Sequence, residues 1–363
     1  IAAPGQRWFY SSSGSMVVDG LLREKIGGPA ELVRFGQEKL FGPAGIDSMT
    51  LGFDARGAFV GSTYSAATAR DWVRFGELMR NDGDKFTEVT AEAGIYNTVI
   101  GYGLGIATGD INNDGWPDLY IGNDFHENDY LYINIPRPGG KKGERAFKEV
   151  LAEKTMHTSQ FSMGVDIADI NNDGWNDIIS LDMLPEDPYI LKSSLGEDEY
   201  GIYQFKLSYG YQPQNARNTL QLNNCNPTGD EQAPTFSEIG MFAGVHATDW
   251  SWDSLFLDFD NDGHKDLFIS NGIERRMNDI DYANFRSDSE IRWKQNFNHL
   301  EDSDLTVVEK MPKIKLPNKF YHNTGQLTFD DYDRRIKNAQ PSFSNGAVYA
   351  DLDNDGDLDV VVN

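Results

Sequence analysis

Short acidic segments are the residues of this chain whose types and spacing most clearly indicate chemistry. Four nonapeptides share the pattern D-x-[DN]-x-D-G-x-x-D, at residues 110–118, 169–177, 258–266 and 351–359. A hard cation such as Ca²⁺ takes about six to eight oxygen ligands, and side chains at alternate loop positions can fold inward around one ion. Glycine at position 6 allows a sharp turn that a Cβ atom would obstruct. The sequence therefore predicts four loops that bind divalent cations.

Each predicted loop offers ligands from five positions. Positions 1, 3 and 5 supply side-chain oxygens, position 7 supplies a backbone carbonyl, and the Asp at position 9 closes the shell. The predicted metal-site residues are Asp110, Asn112, Asp114, Trp116, Asp118, Asp169, Asn171, Asp173, Trp175, Asp177, Asp258, Asp260, Asp262, His264, Asp266, Asp351, Asp353, Asp355, Asp357 and Asp359.

Two other interpretations of the acidic loops are weaker. An EF-hand would end with Glu at position 12 and lie between helices, whereas strand-like runs follow these loops, at 119–121, 178–181, 267–269 and 360–362. Ordinary Asx turns are common, but a solvated turn needs no fixed Asp at position 9. Without a cation, the converging carboxylates would raise one another's pKa and oppose folding. We therefore expect calcium on β-hairpins.

A larger repeated unit surrounds each loop. A Phe precedes position 1 by 24 residues in the first unit and by 22 residues in the others: Phe86, Phe147, Phe236 and Phe329. Five residues before position 1 stand Gly105, Gly164, Asp253 and Gly346. One supersecondary unit is reused, which is typical of repeat architectures.

This unit resembles the FG-GAP or VCBS repeat, the calcium-loop blade of β-propellers like those in integrin α-subunits and bacterial surface proteins. The resemblance covers residues 84–363. It implies four-stranded blades arranged radially, an extracellular or cell-surface setting, and a role in binding or adhesion to a protein or glycan. The unequal spacing of the loops leaves the number of blades and the closure of the ring open.

Two stretches interrupt the repeat, near residues 185–214 and 272–317. Long insertions on a propeller face often carry recognition; the alternative is that they only cover a blade edge. Asp124, Glu127 and Asp129, near His126, are interpreted as solvated loop residues rather than as a further polar site.

Composition agrees with a cation-binding protein. The chain has 32 Lys and Arg against 57 Asp and Glu, a formal charge of −25, and residues 84–363 carry all of that excess. Nucleic acid is an improbable partner, because phosphate binding needs clustered positive charge. Cys225 is the single cysteine, so no internal disulfide is possible. The chain contains no apolar run of about 18 residues, which argues against a membrane span.

The first 83 residues differ from the rest. They are electrically neutral and show helical periodicity, and the change at Asn81–Gly83 predicts a domain boundary. The expected fold is therefore mainly β, a β-propeller that is either complete or incomplete, with a small α-rich fragment before it.

Residues 1–83 resemble serine β-lactamase-like hydrolases through PGQRWFYSSSGSM and the stretches that follow it. The resemblance makes Tyr10, in Tyr10-Ser11-Ser12, the proton-transfer residue of the second motif. No Ser-x-x-Lys nucleophile motif occurs in the chain, so we expect this segment to be inactive. Two questions stay open: whether the chain is a hydrolase with an accessory propeller whose nucleophile lies elsewhere, and whether the two parts are a natural fusion or a truncated or composite sequence.

Overall fold

Antiparallel β-sheets make up most of the fold. The structure is a computed structural model that describes residues 29–41, 50–51, 65–66, 89–96, 98–196, 198–229, 231–287, 309–336, 340–351 and 355–362. Within these residues the chain is mainly β, as predicted.

The N-terminal part is described only in pieces. Helix α1 (Pro29–Gly36) continues into a π-helical turn (Gln37–Phe41), and strand β1 (Thr50–Leu51) pairs antiparallel with β2 (Ser65–Ala66). Most of the hydrolase-like segment, including Tyr10, lies outside the described residues. Its fold, its role and the predicted boundary at residue 83 stay predictions.

Three four-stranded sheets follow, and each is an antiparallel meander in chain order. Sheet 1 contains β3 (Gly103–Gly109), β4 (Asp118–Asn123), β5 (Tyr130–Pro136) and β6 (Arg145–Glu149). Sheet 2 contains β8 (Val165–Ala168), β9 (Asp177–Ser180), β11 (Thr219–Asn223) and β12 (Phe236–Glu238). Two short strands outside it, β7 (Thr158–Ser159) and β10 (Gln214–Asn215), pair with each other in parallel. Sheet 3 contains β13 (Ser251–Leu257), β14 (Asp266–Asn271), β15 (Lys319–Asn323) and β16 (Phe329–Asp331). A two-stranded sheet of β17 (Ala347–Ala350) and β18 (Asp359–Val362) comes last.

Short helices connect the strands. They are α2 (Thr90–Ala93), α3 (Leu151–Lys154), α4 (Pro188–Ser193), α5 (Tyr200–Ser208), α6 (Gly240–Ala243), α7 (Ile280–Arg286) and a 3₁₀ turn (Asp333–Arg335). No described helix has the length and apolar character needed to cross a bilayer.

The sheets pack face to face and share their cores. Ile111 of the first acidic loop forms one buried cluster with Tyr120 and Leu131 of sheet 1 and with Ile178 and Phe236 of sheet 2. A second cluster joins Ile179 and Leu220 of sheet 2 to residues of sheet 3 such as Phe256, Leu267 and Tyr321. The central strands β9 and β14 are buried along their whole length, because both faces of each sheet are covered.

The first strand of each sheet lies against the first strand of the next: β3 contacts β8, β8 contacts β13, and β13 contacts β17. A Cβ atom on Gly105 would lie 2.3 Å from the Met163 carbonyl oxygen, and one on Gly164 would lie 2.4 Å from the Trp252 carbonyl oxygen. The glycine five residues before each of these two loops is therefore required by close strand packing. At the same place in sheet 3, the Asp253 carboxylate accepts a hydrogen bond from the Ala347 N–H at 2.7 Å. This row of sheets is propeller-like, but the described residues do not form a closed ring.

The two predicted insertions leave from equivalent ends of their sheets. One follows β9 and contains α4 and α5, and the other follows β14 and contains α7. Each of these strands begins at an acidic loop, so its other end lies away from the loops. The insertions meet where the Leu195 N–H donates to the Asn278 carbonyl oxygen at 2.6 Å.

Candidate metal centre

As predicted, each of the first three acidic loops connects two hydrogen-bonded antiparallel strands: β3 and β4, β8 and β9, β13 and β14. The fourth connects β17 and β18.

The aspartate at position 1 folds each loop. In the first loop, Asp110 Oδ1 accepts a hydrogen bond from the Asp114 N–H at 3.0 Å and Asp110 Oδ2 accepts one from the Gly115 N–H at 2.8 Å. The same two bonds recur at Asp169, Asp258 and Asp351.

Left-handed backbone conformations occur at two positions in each of the first three loops and at the position 6 glycine of the fourth. Position 4 is Asn in the loops and has φ of 58° at Asn113, 59° at Asn172 and 60° at Asn261. The glycine at position 6 has φ of 86° at Gly115 and 97° at Gly356. Glycine adopts this region without a Cβ penalty and Asn tolerates it better than most residues, which explains the repeated N-D-G.

The aspartate at position 5 closes the turn. Asp114 Oδ1 accepts a hydrogen bond from the Trp116 N–H at 2.9 Å, and Asp173, Asp262 and Asp355 repeat this bond to position 7. Two of the position 7 side chains are exposed. Trp116 is exposed beneath the Arg145 guanidinium, 4.6 Å from its ring centroid, and Asp357 is also exposed.

The aspartate at position 9 is buried and braces two segments. Asp118 Oδ2 accepts from the Ile111 N–H at 2.8 Å, and Asp118 Oδ1 accepts from the Asn134 N–H on β5 at 2.7 Å. Asp177 and Asp266 make the equivalent bonds. In contrast, Asp359 of the fourth loop is exposed.

Burial changes the acidity of these position 9 carboxyls. It raises the pKa of Asp118 to about 6, of Asp177 to about 7 and of Asp266 to about 6. Backbone N–H donors stabilise the carboxylates and lower these pKa values, but by less than burial raises them. Neighbouring loop aspartates raise these pKa values further, and a bound cation would reverse that contribution.

In the third loop, predicted carboxylate ligands lie close to one another and to a histidine. Carboxylate oxygens of Asp258, Asp260 and Asp262 lie within 4.8 Å of one another, and so do ligand atoms of Asp260, Asp266 and His322. His322 Nδ1 is 3.2 Å from both Asp260 Oδ2 and Asp266 Oδ1. Among the described residues, these are the groups of three such ligands that could hold one ion.

The donor set of the third loop fits a hard divalent cation, since it consists mainly of carboxylate oxygens. Asp260 belongs to both groups and would be shared. The first two loops carry Asn112 and Asn171 at position 3, so they offer one carboxylate fewer. Asp353 of the fourth loop lies outside the described residues.

The sequence did not reveal an asparagine on the third strand of each sheet. Asn223 Nδ2 donates to the Asn176 carbonyl beside its own loop at 3.1 Å and to the Ile111 carbonyl of the preceding loop at 3.2 Å. Asn323 likewise donates to Lys265 and Ile170, and Asn134 donates to Pro117. Asn223 and Asn323 end β-rich runs and Asn134 lies near the end of one, which was the signal available.

The asparagine at position 4 was also missed. Asn113 Nδ2 donates to the Gly174 carbonyl at 2.9 Å, Asn172 Nδ2 to the Gly263 carbonyl at 3.0 Å, and Asn261 Nδ2 to Asp357 Oδ1 at 2.6 Å. Each loop therefore contacts the next one. The signal was present, because position 4 is Asn in all four nonapeptides.

The acids near His126 correct one expectation. Asp124, Glu127 and Asp129 are buried rather than solvated. Asp129 accepts hydrogen bonds from the Tyr120 hydroxyl at 2.7 Å, the Ser162 hydroxyl at 2.9 Å and the Asn123 N–H at 2.8 Å. These donors compensate for the lost water, which sequence spacing alone did not show.

One comparison with known proteins gives a family match. Residues 111–180 match the model of the FG-GAP-like repeat, from the second residue of the first loop to the end of β9. The chain therefore contains an FG-GAP-like repeat in that region. A search among curated proteins gave no match.

Proposed function

We propose that the acidic loops bind Ca²⁺ and that residues 84–363 act as a β-propeller-like binding domain outside the cell, where they attach to a protein or glycan. The FG-GAP-like repeat at 111–180, of a type found in extracellular proteins, supports the setting and the binding role. The carboxylates gathered in the third loop are the observation that carries the proposal for calcium.

Each residue type has a separate task in this proposal. The aspartates at positions 1 and 5 hold the loop shape through backbone N–H groups and keep further lone pairs for the ion. A carboxylate oxygen accepts more than one bond, so these hydrogen bonds leave room for coordination. Asp260 and Asp266 would add further carboxylate oxygens, next to His322. The cation supplies positive charge that relieves repulsion among the carboxylates.

Binding of this kind stabilises the folded chain. A site adds about 2.7 kcal/mol when free calcium is a hundredfold above its dissociation constant. The test is calcium titration by calorimetry together with thermal melting, with and without a chelator. We expect the chelator to lower the melting temperature, and an unchanged midpoint contradicts the proposal.

A double variant localises one site. Asp258→Ala with Asp262→Ala should reduce calcium stoichiometry by one while the other loops stay occupied. The control, Glu153→Ala with Asp281→Ala, removes two exposed carboxylates outside the loops and should leave the stoichiometry unchanged. Equal losses in both double variants would show that calcium responds to net charge rather than to the loop.

A further inference from the structure

A cavity of about 310 Å³ lies beside the insertion that follows β9, at the strand ends away from the acidic loops. Helix α5, the segment after it and Gln160 line this cavity. Its volume is at the lower end of the range for small-molecule sites, about 300–1,000 Å³. Such a volume suits a ligand of one or two rings.

Two buried glutamines give the cavity a rigid polar wall. Gln214 lies on β10, which pairs in parallel with β7, and Gln160 follows β7 directly. Gln214 Nε2 donates to the Glu127 carbonyl at 2.8 Å, so its Oε1 is the atom left for a ligand. The Gln160 backbone N–H donates to Asp182 Oδ2 at 3.0 Å, which fixes that residue to the sheet.

Both glutamines have unused hydrogen-bonding capacity. Gln160 is 3% exposed and Gln214 is 4% exposed, and within the described chain neither Gln160 Nε2 nor Gln214 Oε1 has a partner. A buried polar atom without a partner costs about 1–3 kcal/mol. Both atoms are shielded by their neighbours, so a ligand that displaces part of the lining would meet one donor and one acceptor, both uncharged.

Aromatic side chains supply an apolar contact. Tyr200 and Tyr203 line the cavity and stand three residues apart on α5, so they lie on the same side of the helix. Tyr200 is 77% exposed, so its ring is accessible to a ligand. Tyrosine combines a flat apolar body with a polar tip and suits a ligand with both characters.

The charges of the lining favour a neutral ligand. Lys206 Nζ lies 3.6 Å from Asp198 Oδ2, so the cation and the anion of the lining pair with each other. The chain carries a formal charge of −25, which repels anions at long range. Acidic ligands are therefore disfavoured.

We propose that this cavity binds a neutral carbohydrate. A sugar hydroxyl both donates and accepts, which matches Gln214 Oε1 and Gln160 Nε2, while the C–H face of the sugar ring packs against the tyrosines. This inference takes the proposed binding role one step further by naming the ligand class. Its site is separate from the calcium loops, so either proposal can fail alone.

The test uses the full chain and saturation-transfer-difference NMR with five probes, in calcium and again in chelator. Cellobiose, maltose, lactose and chitobiose are the neutral probes, and sialyllactose is the anionic one. We expect at least one neutral disaccharide to bind at one site per chain and sialyllactose to bind more weakly. Gln214→Leu and Tyr203→Ala should each lower the affinity for that disaccharide at least tenfold.

A matched control separates the cavity from general packing. Gln221 is also a buried glutamine with an unpaired Oε1, but it lies on β11 outside the lining, and Gln221→Leu should keep the affinity. Tyr203→Ala keeps the test valid if Gln214→Leu fails to fold.

Any of three results overturns the inference. Either no neutral disaccharide binds the folded chain, or sialyllactose binds as tightly as the neutral disaccharides, or Tyr203→Ala keeps full affinity for the disaccharide that binds the original chain. Loss of calcium binding with retained disaccharide binding would instead reject only the calcium proposal.

Discussion

The repeated loops and the inserted segments lie at opposite ends of the same sheets. The loops have the same structure in every sheet, whereas the segments at the other end differ from sheet to sheet. From loop to loop, the bond from the position 6 N–H to the position 1 carboxylate recurs at 2.8, 2.8, 3.0 and 3.2 Å. At the other end, sheet 1 has a short turn with buried acids, sheet 2 has α4 and α5, and sheet 3 has α7.

The two ends also differ in the groups that determine their structure. The loops depend on backbone N–H groups and on aspartate, asparagine and glycine, so one local pattern suffices for each. The insertion after β9 exposes large side chains, with Tyr189 at 78%, Tyr200 at 77% and Tyr209 at 71%. Exposed aromatic residues on a rigid support are typical of recognition surfaces. The repeated loops therefore shape the sheets in the same way each time, while the insertions give each sheet a different set of exposed side chains.

The strongest test compares a glycine of the repeated sheet unit with a glycine of an insertion. Gly164→Ala places a Cβ atom 2.4 Å from the Trp252 carbonyl oxygen and 3.0 Å from Asp253 Cα. Backbone atoms cannot rotate away, so we expect a loss of about 3 kcal/mol in the free energy of unfolding. Urea denaturation monitored by circular dichroism measures it.

Gly201→Ala is the matched control, in α5 of the insertion. Among the described residues outside its own helix, no heavy atom lies within 4 Å of its added Cβ, and alanine is favoured over glycine in a helix by up to about 0.5–1 kcal/mol. Similar losses in both variants would mean that the sheet contacts are no tighter than the insertion.

The second test removes a bond between sheets. Asn223→Ala leaves the buried carbonyls of Asn176 and Ile111 without their donor, which should cost about 2 kcal/mol. Its neighbour Asn224 is exposed and bonds to the Thr235 hydroxyl within the same hairpin, so Asn224→Ala should change stability by less than about 0.5 kcal/mol. Chemical denaturation of both variants compares them directly, and equal effects would remove the distinction.

Local patterns predicted the loops but not the contacts between them. The nonapeptide spacing was sufficient to place Asp110, Asp169 and Asp258 on hairpins, because an Asx-type turn is decided within a few residues. Asn223 was hidden, because its partner Ile111 is 112 residues away. The insertions also change the distance from each position 9 aspartate to its asparagine, which is 16 residues for Asn134 and 57 for Asn323.

The glycines five residues before the loops were predictable only in part. Their repetition was visible in the sequence, but its cause was not, since the closest atoms belong to the next sheet. The same limit applies to Asp129, whose three donors come from two separate segments. Sequence spacing cannot show that such an acid is compensated, and the cavity beside α5 depends on the same kind of long-range placement.

The third test asks whether the buried acids opposite the loops behave differently from the loop acids. Burial raises the pKa of Asp129 to about 7, against the donors Asn123, Tyr120 and Ser162, and Asp182 raises it slightly further. The unfolded value is about 3.9, so the folded chain holds this proton more tightly. The contribution to stability is complete below about pH 4 and is lost as the pH rises to about 7.

Asp129→Asn should remove this dependence and flatten the pH profile of stability between about pH 4 and 7. Both hydroxyl partners can reverse their donor roles, so the amide keeps its contacts. Denaturation midpoints from pH 4 to 8, in calcium and in chelator, provide the measurement, with Asp281→Asn as an exposed control. We expect the profile to flatten both in calcium and in chelator. If it flattens only in calcium, the pKa of Asp129 depends on the loops.

The smallest expected effect concerns the contact between neighbouring loops. Asn113→Ala removes the bond to the Gly174 carbonyl and also places alanine at φ of 58°, so it should cost about 1–2 kcal/mol. Asn113→Gly removes the same bond but tolerates that φ, and should cost less than about 1 kcal/mol. Calcium titration of both variants then measures coupling between the first two loops. If Asn113→Gly matches the original chain in stability and in the steepness of its titration, position 4 is asparagine for its backbone conformation alone. If the titration becomes less steep, the Asn113 bond transmits order from one loop to the next.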